Sequence, residues 1–215
     1  MTAYEVERER MVAEQIAGRG ITNARVLEAM RLVPRHLFLP EEARQYAYAD
    51  RPVQIGQGQT ISQPYIVGLM TELLAVEPHH RVLDVGTGSG YQAAILGELA
   101  GEVHTIERFP ELAEAAQGRL TAMGYQNITV HIGDGTQGYL EGAPYDRILV
   151  AAAAPEVPQA LKDQLAPGGR LVIPVGTRFS QKLEIWDRDE AGFQKSANIY
   201  VVFVPLVGKD GWEEN

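Results

Sequence analysis

The sequence predicts an α/β fold: a doubly wound, mostly parallel seven-stranded sheet with helices on both faces, preceded by a helical N-terminal extension. Three observations predict it. Between Arg81 and Val175, short apolar runs of strand length alternate with stretches of helical period. The first of those runs ends in a glycine-rich turn that opens directly into a helix. The length, 215 residues with 45% apolar and 22% charged types, suits one large single-core domain.

Residues 1–50 read as the helical extension. Glu5 to Ala17 and Asn23 to Val33 carry apolar residues at helical spacing, with Asn23 as N-cap and Gly18 and Gly20 as a stop. Residues 51–63 are uncharged after Arg51, rich in Gly and Gln and without amphipathic period, which predicts a polar loop with a functional role. Residues 64–177 form the predicted ligand-binding core. Val82–Val85 is a buried strand, and a helix covers about 89–99. Val103–Ile106 is the next strand, and Pro110–Met123 is a helix with Pro in its first turn. Asn127–His131 and Asp146–Val150 are strands, Pro158–Leu165 is a helix closed by Pro167-Gly168-Gly169, and Arg170–Val175 is a fifth strand. Such alternation implies right-handed crossovers. In residues 178–215, Lys182–Trp186 and Ile199–Pro205 are strands joined through a Gly/Asp turn region, which predicts an antiparallel pair at one edge.

Charge and composition narrow the function. Nineteen basic residues against 28 acidic ones give a net charge of -9, which argues against a nucleic-acid partner. With no cysteine, disulfides, thiolate metal sites and a cysteine nucleophile are excluded, and a reducing cytoplasm is the expected compartment. The charged N-terminus lacks a leader's apolar stretch, and the longest apolar run, Ile148 to Pro155, is far short of a membrane span, so no membrane association is expected. The five histidines form no metal-ligand pattern, and no metal is expected.

The chemistry-bearing residues lie at predicted C-terminal strand ends, where ligands bind open α/β sheets. Asp84-Val85-Gly86-Thr87-Gly88-Ser89-Gly90 is spaced G-x-G-x-G, and an acid stands two residues before its first glycine. A loop that holds a pyrophosphate would be repelled by that carboxylate, whereas a cationic ligand tolerates it. Glu107 ends the next strand, 17 residues beyond Gly90, and offers two acceptor oxygens to vicinal ribose hydroxyls. Asp134, between Gly133 and Gly135, suits an adenine amino group. Together these acids describe an adenosine pocket with an acidic rim. Ser62, before Gln63-Pro64 and an apolar helix, reads from the residues alone as an N-cap.

The Asp84–Gly90 loop, Glu107, Asp134 and the Leu165-Ala-Pro-Gly-Gly-Arg-Leu-Val172 stretch resemble class I S-adenosylmethionine-dependent methyltransferases of Rossmann-like fold. Gly58-Gln-Thr-Ile-Ser62 with Gln63-Pro64-Tyr65-Ile-Val67 resembles, more narrowly, the protein-L-isoaspartate O-methyltransferase family in its bacterial branch. Phe203-Val-Pro-Leu206 is similar to that family's closing strand, and the resemblance runs from about Glu5 to Trp212. It implies S-adenosyl-L-methionine as cofactor, S-adenosyl-L-homocysteine as product, and isoaspartyl peptides and proteins as partners of a monomer. It implies that Ser62 is the active-site residue. It places Asp84, Gly86, Gly88, Gly90, Glu107, Asp134, Gly135, Thr60 and Ile61 at the cofactor, and Ile55, Gln59, Thr60, Ser62 and Val207 at the substrate. Animal members often carry histidine and threonine where Val67 and Val207 stand here. The alternatives are a related methyltransferase acting on an aspartyl peptide or small acid, and a non-catalytic adenosine-binding module.

Overall fold

The computed structural model describes residues 2–214. Helix α1 (Ala3–Arg10) starts at a capping box, in which the Thr2 hydroxyl accepts from the Glu5 N–H and the Glu5 carboxylate accepts from the Thr2 N–H. It continues through a π-helical turn, Met11–Ile16, that buries Met11, Val12 and Ile16. Gly20 then ends the run in the left-handed conformation. Helix α2 (Ala24–Leu32) is capped as expected by Asn23, whose side chain accepts from the N–H groups of Arg25 and Val26. Two 3-10 segments, Arg35–Phe38 and Glu41–Tyr46, complete the extension.

Residues 51–63 depart from the expected loop. They form a β-hairpin of β1 (Val53–Gly56) and β2 (Gln59–Ile61), with Val53 paired to Ile61 and Gln54 to Thr60. The two turn residues, Gln57 and Gly58, both have positive φ, the geometry that matches the twist of a tight hairpin. Only Val53 and Ile61 are fully buried, so the ribbon carries too few apolar residues to show a strand period.

The main sheet follows the prediction closely. Helix α3 is Pro64–Leu74. After it come β3 (Arg81–Val85), α4 (Tyr91–Gly97), β4 (Glu102–Glu107), α5 (Pro110–Ala122), β5 (Ile128–Ile132) and β6 (Tyr145–Val150). The chain ends with α6 (Gln159–Asp163), β7 (Leu165–Gly176), β8 (Gln181–Asp189) and β9 (Gly192–Val201). The strand order is β5-β4-β3-β6-β7-β8-β9, parallel from β5 to β7 and antiparallel across β7-β8-β9.

Two boundaries differ from expectation. Pro167-Gly168-Gly169 does not close a helix but lies in a bulge of β7, where the register against β6 jumps between Tyr145 and Arg147. The last strand lies earlier than Ile199–Pro205. Residues 202–205 leave the sheet, and Pro205 bridges Ala153 across the strand ends.

Alternation within strands separates the core into two layers. Val82, Val103, Leu149, Val172 and Leu183 pack toward the N-terminal helices, α3 and α4. Leu83, Val85, Ile106, Ile148, Val150, Leu171 and Ile173 pack on the other face with Leu161 and Leu206. Among the described residues no helix is long and apolar enough to cross a membrane.

Candidate active site

Strand β3 lies between β4 and β6, so the chain runs to one side of it and then returns to the other. A crevice opens at the C-terminal ends of strands flanking such a reversal. Its floor is the glycine loop. The N–H groups of Gly86 and Thr87 donate to the Ile106 carbonyl at 2.9 and 3.2 Å, tying the loop to β4. Gly86, Gly88 and Gly90 all have positive φ (95°, 52° and 89°), a conformation that penalises side chains. Gly86, Thr87, Gly88 and Ser89 line the crevice. Gly90 does not: it caps α4 and packs on Ala116, where an added Cβ would stand 3.3 Å away.

Of the three acids expected at the rim, one lines the crevice. Glu107 is 6% exposed, and its two oxygens accept from the Gly88 N–H at 2.8 Å and the Phe109 N–H at 3.1 Å. Each oxygen keeps a lone pair after that bond. The carboxylate is therefore held rigidly while retaining acceptor capacity.

Asp84 is displaced from the expected position. It is fully buried beneath the loop, with Oδ2 accepting from the Thr105 hydroxyl at 2.8 Å and Oδ1 unpartnered. Burial pushes its pKa up to about 7; the Thr105 hydrogen bond opposes that shift and the Glu107 charge adds to it. The Thr105 hydroxyl also meets that of Thr87 at 2.7 Å, so Asp84 reaches the crevice wall only through two threonines.

Asp134 also departs from its expected contact with adenine. Its oxygens accept from the Thr136 N–H and hydroxyl and from the Lys209 N–H, at 2.7–2.9 Å. It fastens the C-terminal segment, while its neighbour Gly135 faces the crevice. Gly135 leaves no room for a side chain, since a Cβ there would lie 2.6 Å from Val85. The reasons differ: Asp84 points into the buried interior beneath the loop, whereas Asp134 is taken up by donors of Thr136 and Lys209, and sequence spacing shows neither.

The opposite wall comes from the hairpin and the tail. Gln59, Thr60, Ile61 and Ser62 line it together with Val67 of α3 and Leu206 and Val207. Ile55 leans toward the glycine loop, its Cδ1 within 3.4 Å of where a Gly88 Cβ would be. Ser62 is not an N-cap. Gln63 occupies that position and no side chain caps α3, so the Ser62 hydroxyl is not consumed by the helix. A second groove, bounded by Gln63, Ile66, Ser180 and Tyr200–Val204, meets the crevice at Thr60, Ser62, Ala151 and Val204. Ser62 therefore stands where the two open into one another.

Sequence reasoning missed Thr87, Ser89, Tyr91, Phe109, Ala151 and Leu206, all of which line the crevice. Thr87 and Ser89 lie inside the glycine motif, Tyr91 and Phe109 stand just beyond Gly90 and Glu107, and Ala151 follows a recognised strand. Leu206 arrives through bonds that sequence does not reveal, its N–H donating to the Ala153 carbonyl at 2.7 Å.

A rigid strand-end acceptor, positive-φ glycines that keep side chains off the floor and the buried, unpartnered Tyr91 hydroxyl on the wall fit an adenosine-bearing ligand. A family model for protein-L-isoaspartate(D-aspartate) O-methyltransferase matches residues 6–211. The chain belongs to this family. A protein-L-isoaspartate O-methyltransferase of Methanoregula boonei is 57% identical over 207 residues, covering 96% of this chain and 95% of the relative. Another of Syntrophobacter fumaroxidans is 52% identical over 213 residues, covering 99% and 100%. Among solved structures, a Plasmodium falciparum protein-L-isoaspartate O-methyltransferase in complex with S-adenosyl-L-homocysteine superposes with a TM-score of 0.81 at 27% identity. It covers 93% of this chain and 98% of that one. A further protein-L-isoaspartate O-methyltransferase gives 0.84 at 26% identity, covering 95% and 67%. The isoaspartyl methyltransferase assignment thus rests on the full length of the fold as well as on its motifs.

Proposed function

We propose that the crevice holds S-adenosyl-L-methionine, that the second groove holds an L-isoaspartyl peptide, and that Ser62 orients the acceptor carboxylate where the two meet. The activity is the family's, methylation of L-isoaspartyl residues in damaged proteins, which starts their repair. The observation that carries the division of labour is the position of Ser62 on the wall common to both spaces.

The cofactor, when bound, supplies an electrophilic methyl group on a sulfonium sulfur. Glu107 would hold the ribose hydroxyls with its remaining lone pairs, and Gly86–Ser89 would admit the ligand to backbone contact. Gly135, Ile106 and Leu206 would enclose the base. On the acceptor side, an isoaspartyl residue exposes a free α-carboxylate that is ionised at neutral pH, with an ordinary pKa near about 4. Hence no residue has to remove a proton, and the absence of a histidine or lysine from the wall is consistent with the reaction. Ser62 donates a hydrogen bond to one carboxylate oxygen and leaves the other free to attack. The hairpin and Leu206–Val207 exclude water around that oxygen, which strengthens its nucleophilicity. Rate then comes from alignment. The methyl ester closes to a succinimide without further help from the protein, as the following backbone nitrogen displaces methanol, and water reopens part of it to ordinary aspartate.

Asp84 and Asp134 serve this reading from behind the wall, one beneath the glycine loop and one anchoring the tail. We read the chain as one methyltransferase domain, monomeric and cytoplasmic; the lack of cysteine supports a reducing compartment. The test is a pair of peptides identical except for isoaspartate or aspartate at one position, offered with methyl-labelled cofactor. Label in the isoaspartyl peptide alone is expected. Equal labelling of both would overturn the repair role, and cofactor binding without labelling of either would favour a binding module.

A further inference from the structure

Arg35 is among the largest wholly buried side chains, and no carboxylate lies within ion-pair distance of it among the described residues. Its Nε donates to the Ala47 carbonyl at 2.7 Å and its Nη2 to the Ser62 carbonyl at 2.8 Å. Its Nη1 is buried without a partner. The guanidinium lies 5.0 Å from the ring centroid of Tyr91, which lines the crevice. Asp50, whose charge acts on Arg35 without touching it, is engaged by Arg19 at 2.7 Å, the Gln63 amide at 2.7 Å and the Tyr65 N–H at 3.3 Å. Burial lowers the Arg35 pKa to about 10, which leaves it charged at neutral pH.

Two carbonyls ask only for two donors, and a neutral amide would supply them. A buried cation with no anion in contact is costly, and Asp50 offsets that cost only at a distance, so the charge calls for an anion that the resting protein does not place against it. The chain as a whole is at -9 and repels an anionic acceptor at long range. The space in front of Ser62 is where the acceptor carboxylate arrives in the function proposed above, on which this inference rests.

We propose that Arg35 is a positioning residue for the acceptor: it fixes the Ser62 backbone through the carbonyl, and its uncompensated charge draws the isoaspartyl α-carboxylate to the Ser62 hydroxyl. Substrate binding thus completes a charge pair that the empty protein lacks. The charge reaches the crevice from behind Tyr91 and Ser62, whereas Glu107, which would hold the ribose, stands on the strand-end side of the glycine loop.

The experiment compares binding of one isoaspartyl peptide with its α-carboxylate free and with it capped as the amide, both in the presence of S-adenosyl-L-homocysteine. The wild type is expected to favour the free acid. In Arg35→Met and Arg35→Gln that preference is expected to shrink by about tenfold or more, with amide binding and S-adenosyl-L-homocysteine affinity nearly unchanged. Arg35→Lys, which keeps the charge and loses the fork, is expected to retain the preference within about threefold while kcat falls. An undiminished preference in a folded Arg35→Met or Arg35→Gln, or a parallel loss of acid and amide binding, would overturn the inference. Should neither neutral variant fold, loss of the preference in Arg35→Lys would overturn it equally. A wild type that binds acid and amide alike would also overturn the inference, whereas failure of the function itself is read separately, as a wild type that methylates neither peptide of the aspartyl pair.

Discussion

The two walls of the crevice are built differently. The wall proposed for the cofactor is local: the glycine loop, Glu107 and Gly135 each lie at or just beyond the end of a parallel strand, and the loop is tied to β4 through the Ile106 carbonyl and the Glu107 carboxylate. The wall proposed for the acceptor is assembled from distant pieces, namely the hairpin, Ser62 and the tail after β9, with the Arg35 guanidinium buried behind it on the Ser62 carbonyl. One wall is a property of the sheet and is rigid without its ligand. The other is a convergence of loops, the kind of surface on which binding specificity is built.

The sharpest way to break this division is Glu107→Ala. Cofactor affinity is expected to fall by roughly 1.5–3 kcal/mol, the worth of a charged hydrogen-bond acceptor, with little change in peptide KM. Calorimetry with S-adenosyl-L-homocysteine reads it directly, and an unchanged Kd would remove the ribose assignment. Ser62→Ala should act on the other wall alone. A loss of about 1–2 kcal/mol in kcat/KM is expected, with cofactor affinity intact and stability within about 0.5 kcal/mol. A stability loss of about 1 kcal/mol without a kinetic defect would instead leave Ser62 a structural role alone.

Asp84 sharpens the comparison from beneath the cofactor wall. Its folded pKa, about 7, lies above the ordinary 3.8, so the folded state binds the proton more tightly. The group therefore costs stability progressively as pH rises from about 4 to 7, and the full cost stands above that window. Asp84→Asn in the cofactor-free protein should be more stable than the wild type at pH 8, on the order of 1 kcal/mol, since a weaker bond to Thr105 offsets part of the gain. That advantage should vanish near pH 4, and thermal melts at the two pH values decide it. The smallest effect is expected at the rim of the peptide groove. Val202 and Tyr200 are 76% and 71% exposed, so Val202→Ser and Tyr200→Ser should raise peptide KM about twofold and leave the melting temperature nearly unchanged.

Legibility follows the same division. The parallel strands, the glycine loop, Glu107 and the Asn23 cap were readable because each is specified by residues within a few positions of one another. The hairpin at 53–61 was not, since only its two ends are buried and its turn uses Gln57 at positive φ, a residue with weak turn preference. Asp84 and Asp134 were placed on the correct strand ends but facing the wrong way. Thr105 lies 21 residues from Asp84, and Lys209 lies 75 from Asp134. The end of β9 and the crossing of Pro205 over Ala153 belong to tertiary pairing alone. The role proposed for Ser62 came from the resemblance to the family and not from spacing, while the structure puts Gln63 rather than Ser62 at the N-cap of α3.

Whether donor and acceptor truly converge at Ser62 is decided most directly by a crystal structure with S-adenosyl-L-homocysteine and an isoaspartyl peptide bound together. The ribose is expected on Glu107, and the peptide's free α-carboxylate on the Ser62 hydroxyl, facing the homocysteine sulfur. A ribose bound elsewhere, or a peptide whose carboxylate lies away from Ser62, would contradict the account.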